Sequence, residues 1–233
     1  MSSHAAILQI AAVAWNRFST DAEHMFFGTA MKPDETPHFC KSIDLNSQFV
    51  EGLWDFSQST SDWWRRQKDE AKRAVIGRAD ITKGKDDVSV WKHINDQTLL
   101  NDALADLDEW VRKMLQQAGA DDFCLWCQGT DFDIPILRYA AEQTHCDKLL
   151  PMALHHKYFR DCRTAIYESV ASWLGTSDGN QPYSRLDLLH DPLLAYKILP
   201  QLPASFGGKD NAHGALYDCI RSSWFTWQAL RLI

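Results

Sequence analysis

The apolar segment near the start constrains this chain more than any other feature. Residues 5–15 read AAILQIAAVAW, an almost continuous apolar run with no regular alternation of polar side chains. Such a run is typical of a strand covered on both faces, as in the centre of an α/β sheet. A helix is the alternative at this length, but the apolar residues Ile7, Ile10, Val13 and Trp15 do not fall on one stripe. We therefore predict a buried strand.

The composition indicates one globular α/β domain, which we expect to span residues 1–233. With 45% hydrophobic and 24% charged residues, the chain is unlike a disordered protein or a coiled coil. Its apolar runs are shorter than the roughly 20 residues of a membrane span, so we expect no membrane partner. Six cysteines in a chain of this size favour a reducing cytoplasmic compartment over a disulfide scaffold. The net charge of −7 argues against electrostatic coating of nucleic acid, although it leaves a metal-dependent nuclease open.

The pattern along the chain predicts layered helices and strands. Residues 24–31 resemble a second strand, which we expect to form a hairpin with the first before Pro33 and Pro37 break the pattern. Residues 59–62 offer capping side chains for a helix that begins at Trp63. Further elements are predicted as a helix over 98–117 closed by Gly119, a strand over 123–127, a helix beginning near Pro135, mixed helices and loops over 155–199, and a helix over 214–232.

Two segments combine residues suited to chemistry. Residues 211–220 read NAHGALYDCI, in which His213 precedes a predicted helix and Asp218 lies within it. A histidine there is suited to general-base work, although a surface histidine and a solvated aspartate are the alternative. Residues 126–137 read WCQGTDFDIPIL and place Asp131 and Asp133 after a strand, where α/β sites form. Carboxylates suit Mg²⁺ or Mn²⁺, but for Asp131 we favour a helix-capping role.

Together these segments resemble the DEDDh 3′-5′ exonucleases, which have a ribonuclease H-like fold. The resemblance is to the branch that contains phage DexA and the mycobacterial-type exoribonuclease domain. It spans nearly the whole chain through AAILQIAAVAW, STSDWWRRQ, WCQGTDFDIPIL and NAHGALYD in order, and the RDCRT segment at residues 160–164 is also similar. The implied fold is a three-layer one, with a mixed central sheet flanked by helices.

The resemblance implies hydrolysis of the 3′-terminal phosphodiester bond of DNA or RNA, with two Mg²⁺ or Mn²⁺ ions. Asp133 and Asp218 would bind the metals, and His213 would activate the attacking water. The expected partners are single-stranded or 3′-ended DNA or RNA in a bacterial or phage-infected cell, and a homodimer is one alternative for the assembly.

The family's first motif, a DxE pair on a strand ahead of the apolar run, is missing from this sequence. Residues 1–4 resemble the residues that follow that motif, and Asp21 with Glu23 spells DxE only within the predicted turn. Either the sequence starts at an internal Met or the site has degraded. Losing a central strand would leave ladder groups unpaired, which favours the first explanation. We expect the chain as written to lack its usual first strand and to show little metal-dependent exonuclease activity.

Other residues carry weaker signals. Trp63 and Trp64 could stack on bases and Arg65 could meet phosphates, although core packing is an equal alternative for one ring. Cys124 and Cys127 spell CxxC, but residues three apart on a strand point to opposite faces, which argues against a metal site. Two alternatives to the exonuclease remain: a catalytically impaired nuclease fold that binds nucleic acid or a protein, and a small-molecule phosphodiesterase.

Overall fold

The structure, a computed structural model, describes residues 5–22, 24–26, 37–45, 47–48, 54–55, 57–67, 98–146, 155–176, 181–206 and 214–233. In these ranges the chain forms an α/β arrangement of short strands and helices. The strands are β1 (Gln9–Val13), β2 (His38–Ser42), β3 (Leu125–Cys127) and β4 (Phe159–Asp161). The helices are α1 (Gln58–Arg65), α2 (Leu100–Ala118), α3 (Asp133–Gln143), α4 (Cys162–Thr176), α5 (Arg185–His190), α6 (Leu194–Ile198) and α7 (Ala215–Leu230), with a 3₁₀ turn at Ala204–Phe206.

The strands combine antiparallel and parallel pairing. β1 and β2 are antiparallel, with Gln9 opposite Ser42, whereas β3 and β4 are parallel. In the part of the chain that the structure describes, the two pairs are separate sheets and not one continuous ladder. The rings of Trp15 and Trp126 lie 5.7 Å apart between centroids, so aromatic packing joins the end of the β1 segment to β3.

The apolar run at residues 5–15 does form a strand, but the main partner of that strand was not predicted. β1 pairs with β2, whereas the described part of residues 24–31 contributes one antiparallel bridge between Trp15 and Phe26. Residues 27–31 lie outside the described ranges. β2 escapes sequence reasoning because its five residues, HFCKS, follow directly on Pro37 and include three polar side chains. Its buried Phe39 packs against Leu107 of α2.

The helix predicted over 98–117 is confirmed as α2. Its buried residues repeat at three- and four-residue spacings, which aligns them on one face. Gly119 ends the helix in the left-handed conformation with φ 58°, where glycine carries little steric penalty. The next residue, Ala120, donates its N–H to the carbonyl of Leu115 at 3.0 Å, which closes the last turn.

The prediction that residues 59–62 cap a helix beginning at Trp63 is wrong, because α1 already begins at Gln58. Asp62 is instead an interior residue of the helix. Its Oδ1 accepts hydrogen bonds from Gln58 Nε2 and from Arg65 Nη1, each at 3.1 Å. Pairs spaced by three and four residues stabilise a helix, so Asp62 supports α1 from within.

The largest core cluster holds α7 against α4. Ile166 and Val170 of α4 are buried together with Ile220, Trp224 and Phe225 of α7. α7 also packs across β1, and it is buried on most sides in its second half. The first turn of α7 is thereby fixed against the sheet. None of the described helices combines the length and the apolar character needed to cross a membrane.

Candidate functional site

Acidic residues gather where the parallel strands β3 and β4 end. Asp133 is the first residue of α3, in the segment that follows β3, and Asp161 is the last residue of β4. Parallel strands end at the same edge of a sheet, and α/β sites form at this edge. The charges of both Asp131 and Asp161 act on the Asp133 carboxyl group. The acidic segment therefore lies between β3 and α3, where the sequence placed it, and its role as a functional site stays a prediction.

The turn at Gly129 presents this acidic segment. Gly129 has φ 104°, a backbone conformation that other residues rarely adopt. A Cβ atom added there would lie 3.4 Å from Asp131 Oδ1 and 3.6 Å from Arg163 Nη1. A side chain would therefore find room there, and it is the positive φ that makes glycine the favoured residue at this turn.

The prediction that Asp131 caps α3 is wrong. The residue at the N-cap is Phe132, and its side chain makes no capping hydrogen bond. The carbonyl oxygen of Gly129 accepts hydrogen bonds from the N–H groups of Phe132 at 3.0 Å and Asp133 at 3.3 Å. The turn itself thus occupies two N–H groups at the start of α3, and Asp131 is left exposed beside Asp133.

Asp133 has an unusual acidity for an aspartate. Although it is accessible to solvent, the protein around it displaces enough water to raise its pKa to about 6. The guanidinium of Arg163 opposes this rise, whereas the charges of Asp131 and Asp161 add to it. A partly dehydrated carboxylate among like charges is a position that a cation stabilises.

Asp161 is a residue of this cluster that sequence reasoning did not select as functional. Its Oδ1 accepts a hydrogen bond from the N–H of Thr164 at 3.0 Å, at the start of α4, and its Oδ2 accepts one from Thr130 at 3.4 Å. The side chain therefore ties the loop after β3 to the helix after β4. The signal that could have found it is RDCRT, the fifth segment of the family resemblance.

Asp218 lies in the first turn of α7, which β1 fixes in place. Gln9 Oε1 accepts a hydrogen bond from the N–H of Ala215 at 2.9 Å, and Cys219 Sγ donates to the carbonyl of Ala11 at 3.3 Å. Burial raises the pKa of the Cys219 thiol to about 12, and the charges of Asp133 and Asp218 add to that rise. The two predicted metal ligands thus share this thiol as a neighbour.

The structure does not place the remaining candidate residues, His213, Asp21 and Glu23, near Asp133. His213 lies outside the described residues. Asp21 belongs to an exposed turn, as predicted, where its Oδ1 accepts a hydrogen bond from the N–H of His24 at 2.9 Å, and Glu23 is not among the described residues. Within the described ranges, no group of three or more His, Cys, Asp or Glu side chains is arranged to hold a metal ion.

The tryptophan pair on α1 is divided between core and surface. Trp64 is buried with 9% exposure, whereas Trp63 is 38% exposed, and their rings meet edge to face at 5.0 Å. Arg65 is exposed and forms an ion pair with Asp62 at 3.1 Å. Core packing therefore accounts for Trp64, and Trp63 and Arg65 remain accessible for a ligand.

The CxxC pair is a pair of free thiols. Cys124 is half-buried and Cys127 is buried, and the described cysteines form no disulfide. Burial raises the pKa of Cys127 far above its usual range and that of Cys162 to about 11. These thiols are protonated at neutral pH, which makes them poor metal ligands and poor nucleophiles.

One comparison with known proteins identifies a family. Residues 1–193 match the family model of the 3′-5′ exoribonuclease Rv2179c-like domain. No curated protein and no solved structure matches the chain. The matched residues include Asp133 and Asp161, whereas His213 and Asp218 lie beyond residue 193. Because the match covers most of the sequence, the chain belongs to the family of 3′-5′ exoribonuclease Rv2179c-like domains.

Proposed function

We propose that this chain is a DEDDh-type 3′-5′ exonuclease with a single ribonuclease H-like domain over residues 1–233. Family membership supports an enzyme that hydrolyses nucleic acid from the 3′ end. The observation that carries the proposal is the accessible Asp133 carboxylate, which is partly dehydrated and lies among like charges at the end of β3. Its substrate would be single-stranded or 3′-ended RNA or DNA.

The chemistry of the donors fits a hard divalent cation. Mg²⁺ and Mn²⁺ prefer carboxylate oxygens, and Asp133 and Asp218 are the residues that we assign to hold them. Two such ions would supply charge stabilisation to the attacking and leaving oxygens of an in-line displacement. The carboxylates in the described ranges do not by themselves form a complete cage. We assign Asp133 and Asp218 as part of the ligand set.

The chain's own groups would hold the substrate and move its protons. His213 would accept the proton of the water whose oxygen attacks the terminal phosphorus. The bond between phosphorus and the 3′ oxygen of the preceding nucleotide breaks, that oxygen takes a proton, and a nucleoside 5′-monophosphate leaves. Arg163, whose charge acts on Asp133, would keep positive charge beside the reacting phosphate.

A 5′-labelled single strand incubated with Mn²⁺ tests this proposal. We expect a ladder that shortens only slowly from the 3′ end, with mononucleotides as product, because the ligand set of the described residues is incomplete. Asp133→Asn and Asp218→Asn should each slow this reaction at least about 100-fold, since metal coordination supplies several kcal/mol at the transition state. Asp102→Asn is the matched control, because Asp102 is an exposed aspartate in the first turn of α2.

The outcomes separate the proposal from its alternatives. Equal turnover by Asp133→Asn and the unaltered chain would refute the metal role of that residue. Binding of the strand without turnover, at every Mn²⁺ concentration, would instead identify a catalytically impaired nuclease fold. The impaired nuclease is considered as a second candidate because the described residues do not form a complete metal-ligand set.

A further inference from the structure

A cavity of about 840 Å³ opens beside the acidic cluster, between α4, α6 and the first half of α7. Arg163 and Gln128 line its end nearest the cluster, and the guanidinium of Arg163 is the cation that acts on Asp133. The volume lies in the upper part of the range of about 300–1,000 Å³ that is usual for small-molecule sites. The cavity therefore shares Arg163 with the surroundings of the proposed site of hydrolysis.

The charged residues that line the cavity are mostly cationic, whereas the protein as a whole is acidic. The chain carries a net charge of −7, but Arg163, Lys197 and Arg221 line this cavity against one acidic lining residue, Glu168. A concave surface lined by one sign of charge concentrates the potential and attracts ligands of the opposite sign. An anion with several charges along its length fits this distribution better than a neutral metabolite does.

The cations are available to such an anion. Lys197 Nζ pairs with Asp191 at 2.8 Å, but both side chains are exposed, and surface pairs of this kind contribute little stability. The guanidinium carbon of Arg221 lies 5.3 Å from the ring centroid of Tyr196 and 4.9 Å from that of Phe225. Stacking on rings leaves the in-plane N–H groups of arginine free to bind phosphate.

Aromatic side chains accompany the cations. Tyr167 of α4 and Tyr196 of α6 both line the cavity, and both are half-buried. Aromatic rings next to a cationic groove are the combination that binds single-stranded nucleic acid, because every base has a flat face that can stack. The cavity thus offers both kinds of contact within one volume.

We propose that this cavity binds the single strand just upstream of the scissile bond, with backbone phosphates on Lys197 and Arg221 and a base against Tyr167. The proposal rests on the proposed function for its direction, because the strand would run from the acidic cluster into the cavity. It assigns a binding role to Lys197, Arg221 and Tyr167. These residues are separate from the acidic cluster of aspartates 131, 133 and 161.

Fluorescence anisotropy with a short labelled RNA and a DNA of the same sequence tests this binding. Measurements in chelator and in Ca²⁺ follow binding apart from Mn²⁺-dependent turnover. Lys197→Ala should weaken binding severalfold and lower the slope of log affinity against log salt by about 0.7, the share of one phosphate contact on a single strand. Arg112→Ala is the matched control, because Arg112 forms an exposed ion pair of 2.7 Å with Asp108 on α2, outside the cavity lining.

Variants of Tyr167 test the stacking contact independently of the phosphate contacts. Tyr167→Ala should weaken binding at least about fivefold, as expected for the loss of one stacked base, whereas Tyr167→Phe keeps the ring and should bind normally. Thermal melting of each variant shows whether it is folded. Should Tyr167→Ala not fold, the salt slope of Lys197→Ala alone decides the outcome.

The results distinguish this inference from the proposed function. Normal affinity and salt slope in Lys197→Ala, an equal loss in Arg112→Ala, or no binding of either strand by the unaltered chain overturns the inference. Turnover by the unaltered chain together with normal binding by the cavity variants refutes the inference alone. Loss of binding in the cavity variants without any turnover by the unaltered chain supports strand binding in the cavity and refutes the exonuclease.

Binding of RNA and DNA to different extents, with both weakened in the cavity variants, supports strand binding in the cavity and identifies the preferred strand.

Discussion

The side-chain carbonyl of Gln9 in β1 accepts a hydrogen bond of 2.9 Å from the backbone N–H of Ala215 at the start of α7. The N-cap residue of α7, Gly214, has no side chain to do this, so the strand supplies the cap that the helix lacks. The contact joins positions 206 residues apart. It fixes the first turn of α7, which carries Asp218, against β1.

Removing this contact should loosen the start of α7. Gln9→Ala leaves the N–H of Ala215 without its acceptor, and we expect a loss of about 1 kcal/mol in the free energy of unfolding, as for other lost caps. Denaturant unfolding measures the change. Gln9→Glu keeps an acceptor and adds a charge that the helix N-terminus favours, so it should retain stability. Equal losses in both variants would contradict the capping role.

Asp133 should make the protein less stable as the pH rises. Its pKa is raised from 3.8 to about 6, so between these values the folded state binds more protons than the unfolded state. Stability therefore falls as the pH passes from about 4 to about 6 and stays lower above that range. In chelator, Asp133→Asn should melt at a higher temperature than the unaltered chain above pH 7 and at nearly the same temperature near pH 4.

The two tryptophans of α1 should respond differently to truncation. Trp64 is buried, so Trp64→Ala should cost about 3–5 kcal/mol of folding free energy. Trp63 is 38% exposed, so Trp63→Ala should cost much less and should reveal any contribution to strand binding. Chemical denaturation and anisotropy on the same two variants check both statements. A Trp63→Ala protein that binds RNA and DNA normally would remove Trp63 from the substrate-binding set.

The buried thiols should be slow to react. The pKa values of Cys162 and Cys219 are raised to about 11 and about 12, chiefly by burial. A protonated thiol is a poor nucleophile, so we expect slow labelling of both by a disulfide reagent at neutral pH and fast labelling in denaturant. Mass spectrometry of digested protein assigns the labelled positions. Cys219 is half-buried and Cys162 is buried, so fast labelling of either thiol in the folded chain would contradict its raised pKa.

The sequence was most informative where a pattern repeats or a turn needs glycine. The spacing of Leu100, Ala103, Leu104 and Leu107 fixed the buried face of α2, and Gly119 marked its end. The acidic segment at the end of β3 was selected as a candidate site because it follows an apolar strand, an arrangement with a general position in α/β sheets. These features depend on local periodicity, which a single sequence displays directly.

The features that sequence reasoning missed depend on distant contacts. Asp161 lies near Asp133 because β4 pairs with β3 in parallel, so that Leu125 is opposite Phe159. Asp62 is the exception, because its partners Gln58 and Arg65 are only one turn away on either side within α1. The cavity is assembled from α4, α6 and α7, and no local pattern places Lys197 next to Arg221.

The burial of α7 has a consequence for how the protein loses activity. Ile220, Trp224 and Phe225 cannot be exposed without opening the largest core cluster, so the helix that carries Asp218 opens only when the whole cluster does. Backbone amide protons over residues 220–229 should then be among the slowest to exchange with deuterated water. On heating, any turnover that depends on Asp218 should persist up to the melting transition, because this proposed metal ligand lies on the helix that the core cluster holds in place.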